Sequence, residues 1–325
     1  MKKRLSGASA LNRILDVRWL YSFLGLILIF LVSSQLSSSF LTAGNMLTIL
    51  RQASILLMLS LGLTAVVLTG NIDLSVNSCA ALTGCICAKM LVGNVPAVWA
   101  ILISMLVGIV SGLFNGFLVG VLRLPSFIAT YGTNMVLSGL ATIVMNGGVI
   151  YDLPSGFRNL GVGYLGPIPI PIIIVAVAAI VLVLLLQKTV FGRKVYMYGH
   201  NHTASKYSGT NNLRVLMLSF VLCGLTGAFG GILMCARLNA ADAGMADTYG
   251  LQIVAAVVVG GTSLLGGEGS IFGTIIGAIV LTSITNIMNI LSIDSAWQNF
   301  VVGVVILLMV WIDVFTRSKR AKKAG

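Results

Sequence analysis

The strongest constraint on this chain is the recurrence of long, nearly uncharged apolar runs. A helix needs roughly 20 apolar residues to cross a hydrocarbon core of about 30 Å. Ten runs meet or approach that length, at roughly 19–36, 47–69, 76–92, 97–122, 126–146, 168–187, 213–236, 251–265, 271–291 and 297–315. The third and eighth are short. Backbone groups in hydrocarbon must be paired within the protein, which leaves helices and closed barrels. These runs are continuous and lack the period-two alternation of barrel strands. The expected fold is therefore all-α, a polytopic integral membrane bundle of about ten transmembrane helices. Only 9% of the 325 residues are charged and 58% are hydrophobic, against about 25% charged in soluble domains. No separate soluble domain fits between the runs.

The net charge of +12 is placed for topology, not for nucleic acid. With the N-terminus in the cytoplasm, 16 of the 20 Lys and Arg fall on inner segments, and only Arg51, Lys89, Arg158 and Arg237 fall outside. That is the positive-inside pattern for an even number of spans with both termini cytoplasmic. It divides the chain into a basic arm (1–18), a transmembrane domain (19–315) with a cytoplasmic loop at 188–212, and a basic tail (316–325). The first run is long enough to span and SSQLSSSF offers no small-x-small cleavage site, so it reads as an uncleaved helix in a multi-pass plasma-membrane protein. Cys79, Cys85, Cys87, Cys223 and Cys235 lie in or beside apolar runs without metal or disulfide spacing, and read as small buried hydrophobes.

The densest polar stretch runs from Gln187 to Arg214. Asn201 is a good N-cap, His202 to Ser208 can be helical, and Gly209 supplies a left-handed C′ position. So short a helix is unstable alone in water, so it either docks on something or is a solvated loop with a chance cap. A second polar site is GNIDLSVNS, where Asp73 stands among Asn71, Ser75, Asn77 and Ser78. A carboxylate at membrane depth costs about 2.5–3.5 kcal/mol on insertion scales and should face protein or water. The segment is either a helix break beside a translocation path or an interfacial turn capped by Asp73. Gly108, Gly112, Gly116 and Gly120 line one helix face, where another backbone can approach. The run around Gly260, Gly261, Gly266, Gly267 and Gly269 has no phosphate-loop Lys, and suits a sharp turn. Residues 65–74 and 256–265 share Ala, Val, Val, Gly and Leu in register, as a parallel internal repeat of spans one to four and seven to ten would leave. No hydrolase, metalloprotease or paired-carboxylate motif occurs, and neither an enzyme activity, a cofactor nor a metal is expected.

The motifs together resemble the membrane permease of ribose-type bacterial ABC sugar importers. The likeness runs through GNIDLSVNS, LPSFIATYGT (124–133), FGRKVYMYGHNHTASKYSGTN (191–211) and VVVGGTSLLGGEGSIFGTIIGA (257–278), then Asn286 and Asn289. It implies a monosaccharide importer subunit with three protein partners in the lipid bilayer. These are a second permease subunit, identical or homologous, a cytoplasmic ATPase subunit, and an extracytoplasmic sugar-binding protein. It makes 201–209 the ATPase-coupling helix, with Arg193, Gly199, Ala204 and Gly209 on the family pattern and Asn201 as the cap. The chain departs from that pattern at Asn71 and Asn77, where Gly is usual, and at His202-Thr203, where Glu-Ala is usual. The alternative from another class is a self-contained secondary transporter with Asp73 as its coupling residue.

Overall fold

A computed structural model describes residues 18–305 together with 307, 308 and 311. The basic arm up to residue 17, the tail 316–325 and the far part of the last expected span lie outside the described residues. The helices are α1 (Arg18–Leu36), α2 (Ala43–Leu68), α3 (Val76–Val92), α4 (Ala97–Gly120), α5 (Ser126–Met145), α6 (Ser155–Val162), α7 (Ile170–Lys188), α8 (Val190–His200), α9 (His202–Tyr207), α10 (Asn212–Leu238), α11 (Gly250–Val259) and α12 (Ile271–Ile290). The chain is helical again over 295–305. Two antiparallel clips complete it: β1 (Ile150–Tyr151) pairs with β4 (Ala240–Ala241), and β2 (Tyr164–Leu165) with β3 (Ile168–Pro169).

By length and composition, α2, α4, α5, α7, α10 and α12 can each cross a membrane, while the apolar parts of α1, α3 and α11 are shorter. The all-α class expected from the sequence is the class observed, and six of its helices have the length and composition of the expected spans. Three expectations change. The eighth run stops at Val259 instead of 265, because Gly260 and Gly261 end the helix. The polar stretch holds a second helix, α8, besides the short one. That short helix, α9, ends at Tyr207, with Ser208 as its C-cap.

Contacts sort the loops into two ends. One end gathers the turns 69–75 and 260–270 with α8 and α9. The other gathers the two strand clips, the Arg51–Tyr164 contact and the Asn45–Asn286 pair. Ser22 donates to the Val259 carbonyl, at 2.5 Å, so α1 starts at the α8–α9 end. Gln298 donates to Asn289, so the last helical stretch starts at the opposite end.

α2 is the central helix, with 83% of its apolar window buried, against 67% for α10 and α12 and 28% for α4, α5 and α7. The glycine row of α4 is the seam with α10. A β-carbon on Gly108 would strike the Gly224 carbonyl and Ala228, one on Gly112 the Phe220 carbonyl, one on Gly116 Met217, and one on Gly120 Leu213. The partners step down α10 as the glycines step up α4, so the two backbones run antiparallel in close contact. In lipid, where apolar side chains gain nothing by leaving water, this close van der Waals contact is what holds helices together. On other faces of α10, Gly231 meets the Ala80 carbonyl of α3, and Gly62 of α2 meets Cys223 and Thr226. Between α2 and α12, Asn45 and Asn286 exchange two amide hydrogen bonds, each 3.0 Å.

Candidate functional site

The site is built where α2 and α11 stop short and α8 crosses beneath them. At the end of α2, Thr69 and Gly70 turn the chain out of helix, with Gly70 at φ 76°, a conformation that costs glycine little. The next residues run without helix to Ser75. Backbone of this kind survives in a membrane protein only if other groups satisfy it. Here α5 does so: the Ile72 N–H donates to Ser126 Oγ (3.3 Å), the Leu74 N–H to Thr130 Oγ1 (3.0 Å), and Thr130 Oγ1 donates back to the Ile72 carbonyl (3.3 Å).

Asp73 is buried at 3% exposure. Its Oδ1 accepts from the Ser75 backbone N–H (2.8 Å) and the Ser75 hydroxyl (2.7 Å), and Asn115 Nδ2 of α4 approaches both carboxylate oxygens at 3.3 Å. Asn115 also donates to Ser75 Oγ at 2.7 Å. Asp73 thus closes a local turn onto Ser75, the residue before α3. The carboxylate ties the end of the break to the first turn of α3 and to α4. Asn115 escaped notice in the sequence because it sits inside a glycine-rich packing helix. A lone Asn in so apolar a run was the available signal.

The other polar residues of the segment divide. Asn71 donates to Thr69, Ser78 is buried and donates to the Ser75 carbonyl (3.1 Å), and Asn77 sits at 7% exposure beside Gly250, where α11 begins. The exposed face of α5 carries Phe127, Ile128, Met135, Val136, Leu140 and Ile143 beside Tyr131, Gly132, Gly139 and Thr142, with Asn134 and Ser138 half-buried. It is the least apolar of the six long helices, yet it is as exposed as α4 and α7.

The glycine-rich turn connects α11 to α12. Gly260 and Gly273 face each other so closely that a β-carbon on either would strike the other's carbonyl. Gly261, Gly266, Gly267 and Gly269 all have positive φ. Gly266 lies against Gly70, so the two helix breaks touch, and the Gly267 N–H donates to the Leu68 carbonyl at 2.8 Å. The segments that share Ala-Val-Val-x-x-Gly thus end in similar turns that meet.

Below them, Thr189 caps α8 by accepting from the Gly192 N–H (3.3 Å), and Val195 and Gly192 are buried. Burial pushes the phenols of Tyr196 and Tyr198 above their ordinary value. Asn201 Oδ1 accepts from the Thr203 and Ala204 N–H groups, both at 3.0 Å, and Gly209 sits at φ 75° beyond the C-cap, as expected for α9. Ser205 donates to Asn212 (2.9 Å), and Asn212 donates to the His202 carbonyl (2.9 Å), which seats α9 on the start of α10. Arg193, Asn201, His202, Thr203, Ala204 and Gly209 are exposed, while Gly199 is wedged among backbones. The structure thus brings Gly199 to the helix breaks and leaves the other candidate coupling residues facing outward.

The family model for "branched-chain amino acid transport system / permease component" matches residues 45–310. The chain belongs to this permease family. Among its relatives, the ribose import permease protein RbsC of Bacillus subtilis is 40% identical over 293 residues, 90% of this chain and 91% of that protein. RbsC of Haemophilus influenzae is 35% identical over 92% of this chain and 94% of its own. The autoinducer 2 import system permease LsrC of Salmonella paratyphi B is 32% identical over 90% and 84%. No solved structure matches the chain. The permease is a transport component of the bacterial plasma membrane, not an enzyme, and these relatives lend nothing to a self-contained secondary transporter.

Proposed function

We propose that this permease is the membrane subunit of an ATP-driven importer of a monosaccharide such as ribose. The observation that carries the proposal is 35–40% identity to ribose import permeases over nine-tenths of the chain. The wider family description names amino acids, so the sugar rests on these nearer relatives.

In this reading the chain crosses the membrane ten times with both termini inside. The positive-inside count supports that, as does the shared end of α1, α8 and α9. An ATPase subunit docks on the exposed face of α9, whose His202 and Thr203 replace the usual Glu-Ala and so alter that contact. A sugar-binding protein delivers solute to the clipped end. A second permease copy covers the α5 face, where Gly132, Gly139, Thr142 and the half-buried Asn134 interrupt an otherwise apolar surface. The solute path lies beside the helix break, with the half-buried Asn71 nearest to it and Asp73, Ser75, Asn77 and Ser78 as the buried layer behind its wall. ATP-driven closure of the ATPase pair moves α9 and switches the bundle between two packings.

The test is ribose uptake into proteoliposomes holding the permease, its ATPase and its binding protein. Uptake that requires all three supports the proposal. Uptake without the ATPase overturns it, and uptake of leucine in place of ribose moves the substrate class to that of the family description.

A further inference from the structure

Three backbones meet at one point beneath the membrane core. A β-carbon on Gly199, in the last turn of α8, would strike the Leu68 carbonyl and the Gly267 nitrogen, and would lie 3.0 Å from the Gly267 α-carbon. Leu68 ends α2, and Gly267 lies in the turn that follows α11. The Gly267 N–H already donates to the Leu68 carbonyl, so the two breaks are fastened to each other as well as to α8. A β-carbon on Gly267 would lie 2.7 Å from Nδ1 of His200, so the far side of the joint is closed by the residue after Gly199. One turn earlier, Tyr196 Oη donates to the Gly269 carbonyl at 2.9 Å.

α9 is joined to this point through α8, across one extended residue, Asn201. α8 has 11 residues, about 16 Å at 1.5 Å per residue. Its end is bound to α9 by the Asn201 cap and by the stacked rings of Tyr198 and His202, 4.1 Å apart. A displacement of α9 cannot be absorbed at Gly199 by side-chain rearrangement, since there are no side chains between the backbones. It must reach α2, the most buried helix, and the α11–α12 turn together.

We infer that Gly199, Gly267 and Tyr196 are positioning residues that fasten the α8–α9 lever to both helix breaks, so that movement of the docked ATPase reaches the solute path through this joint. The inference rests on the function proposed above. It differs from a docking role: these residues fix how far a stroke is transmitted, not whether the ATPase binds.

The experiment measures ATP hydrolysed and ribose taken up in the same proteoliposomes, and reports solute moved per ATP. Gly199→Ala, which forces the backbones apart, is expected to lower that ratio about tenfold while hydrolysis stays within about twofold of the unmodified complex. Tyr196→Phe, which deletes one hydrogen bond, is expected to lower it about threefold. An unchanged ratio in either variant overturns the inference, as does a parallel loss of hydrolysis and uptake from complex that is still assembled. If Gly199→Ala does not assemble, Tyr196→Phe decides alone by the same criterion. Failure of the unmodified complex to couple uptake to ATP counts against the proposed function, and is distinguishable because it precedes any substitution.

Discussion

Replacing Asp73 separates a structural carboxylate from a proton-coupling one. In Asp73→Ala, the Ser75 backbone N–H loses its acceptor at 2.8 Å and the Ser75 hydroxyl loses one at 2.7 Å. Asn115 keeps its bond to Ser75 Oγ. An orphaned buried donor costs about 1–3 kcal/mol, so two such losses, the second partly recovered by rotation of the hydroxyl, total about 3 kcal/mol. Asp73→Asn behaves differently. Its amide oxygen still accepts from the Ser75 N–H, and its new N–H₂ can meet Asn115 Oδ1, which has no partner among the described residues, if that amide turns over. The expected cost is about 1 kcal/mol. Unfolding of both variants in mixed detergent micelles, followed by helix content, gives the two values. ATP-driven uptake by Asp73→Asn should remain near that of the unmodified protein. Equal losses in the two variants would refute the hydrogen-bond argument. A stable Asp73→Asn that has lost all uptake would show that the carboxylate's proton or charge is needed for transport.

Gly112→Leu should prevent α4 from seating on α10, because a side chain there meets the Phe220 carbonyl and not a movable group; overpacking of at least about 3 kcal/mol is expected, read as loss of folded protein extracted from the membrane. Asn201→Ala removes the acceptor for the Thr203 and Ala204 N–H groups and should destabilise α9 by about 1 kcal/mol. Binding of the ATPase subunit to the purified permease should weaken accordingly, and unchanged affinity would show that the cap is irrelevant to docking. A double-mutant cycle on Asn45→Leu and Asn286→Leu should give a coupling energy of about 0.6–1.7 kcal/mol, the range of interhelical hydrogen bonds in membranes.

The apolar helices were legible because hydrocarbon imposes one length scale and one rule of backbone pairing. The ends of α3 and α5 followed almost to the residue, since Pro125 and the polar break mark them. The glycine row of α4 could be assigned to packing from its spacing, but not to α10, since spacing does not name a partner. α8 was missed for a physical reason. Two glycines, Gly192 and Gly199, sit in an 11-residue helix, where glycine is intrinsically unfavourable. What favours the helix is tertiary: Val195 is fully buried and the glycines are needed where backbones touch. The same holds for Asn115 and Tyr196, whose partners Asp73 and Gly269 are 42 and 73 residues away in the chain. Local pattern located the cap of α9 because that interaction spans only three residues.

The central claim is that α9 is a cytoplasmic surface covered by an ATPase. Tyr207 is 88% exposed on it, and the cysteines at 79, 85, 87, 223 and 235 are all buried, so Tyr207→Cys supplies a single reactive thiol. In inside-out vesicles a membrane-impermeant maleimide should label it rapidly, and added ATPase subunit should block the labelling. Labelling only in right-side-out vesicles, or labelling that the ATPase does not slow, would contradict the account.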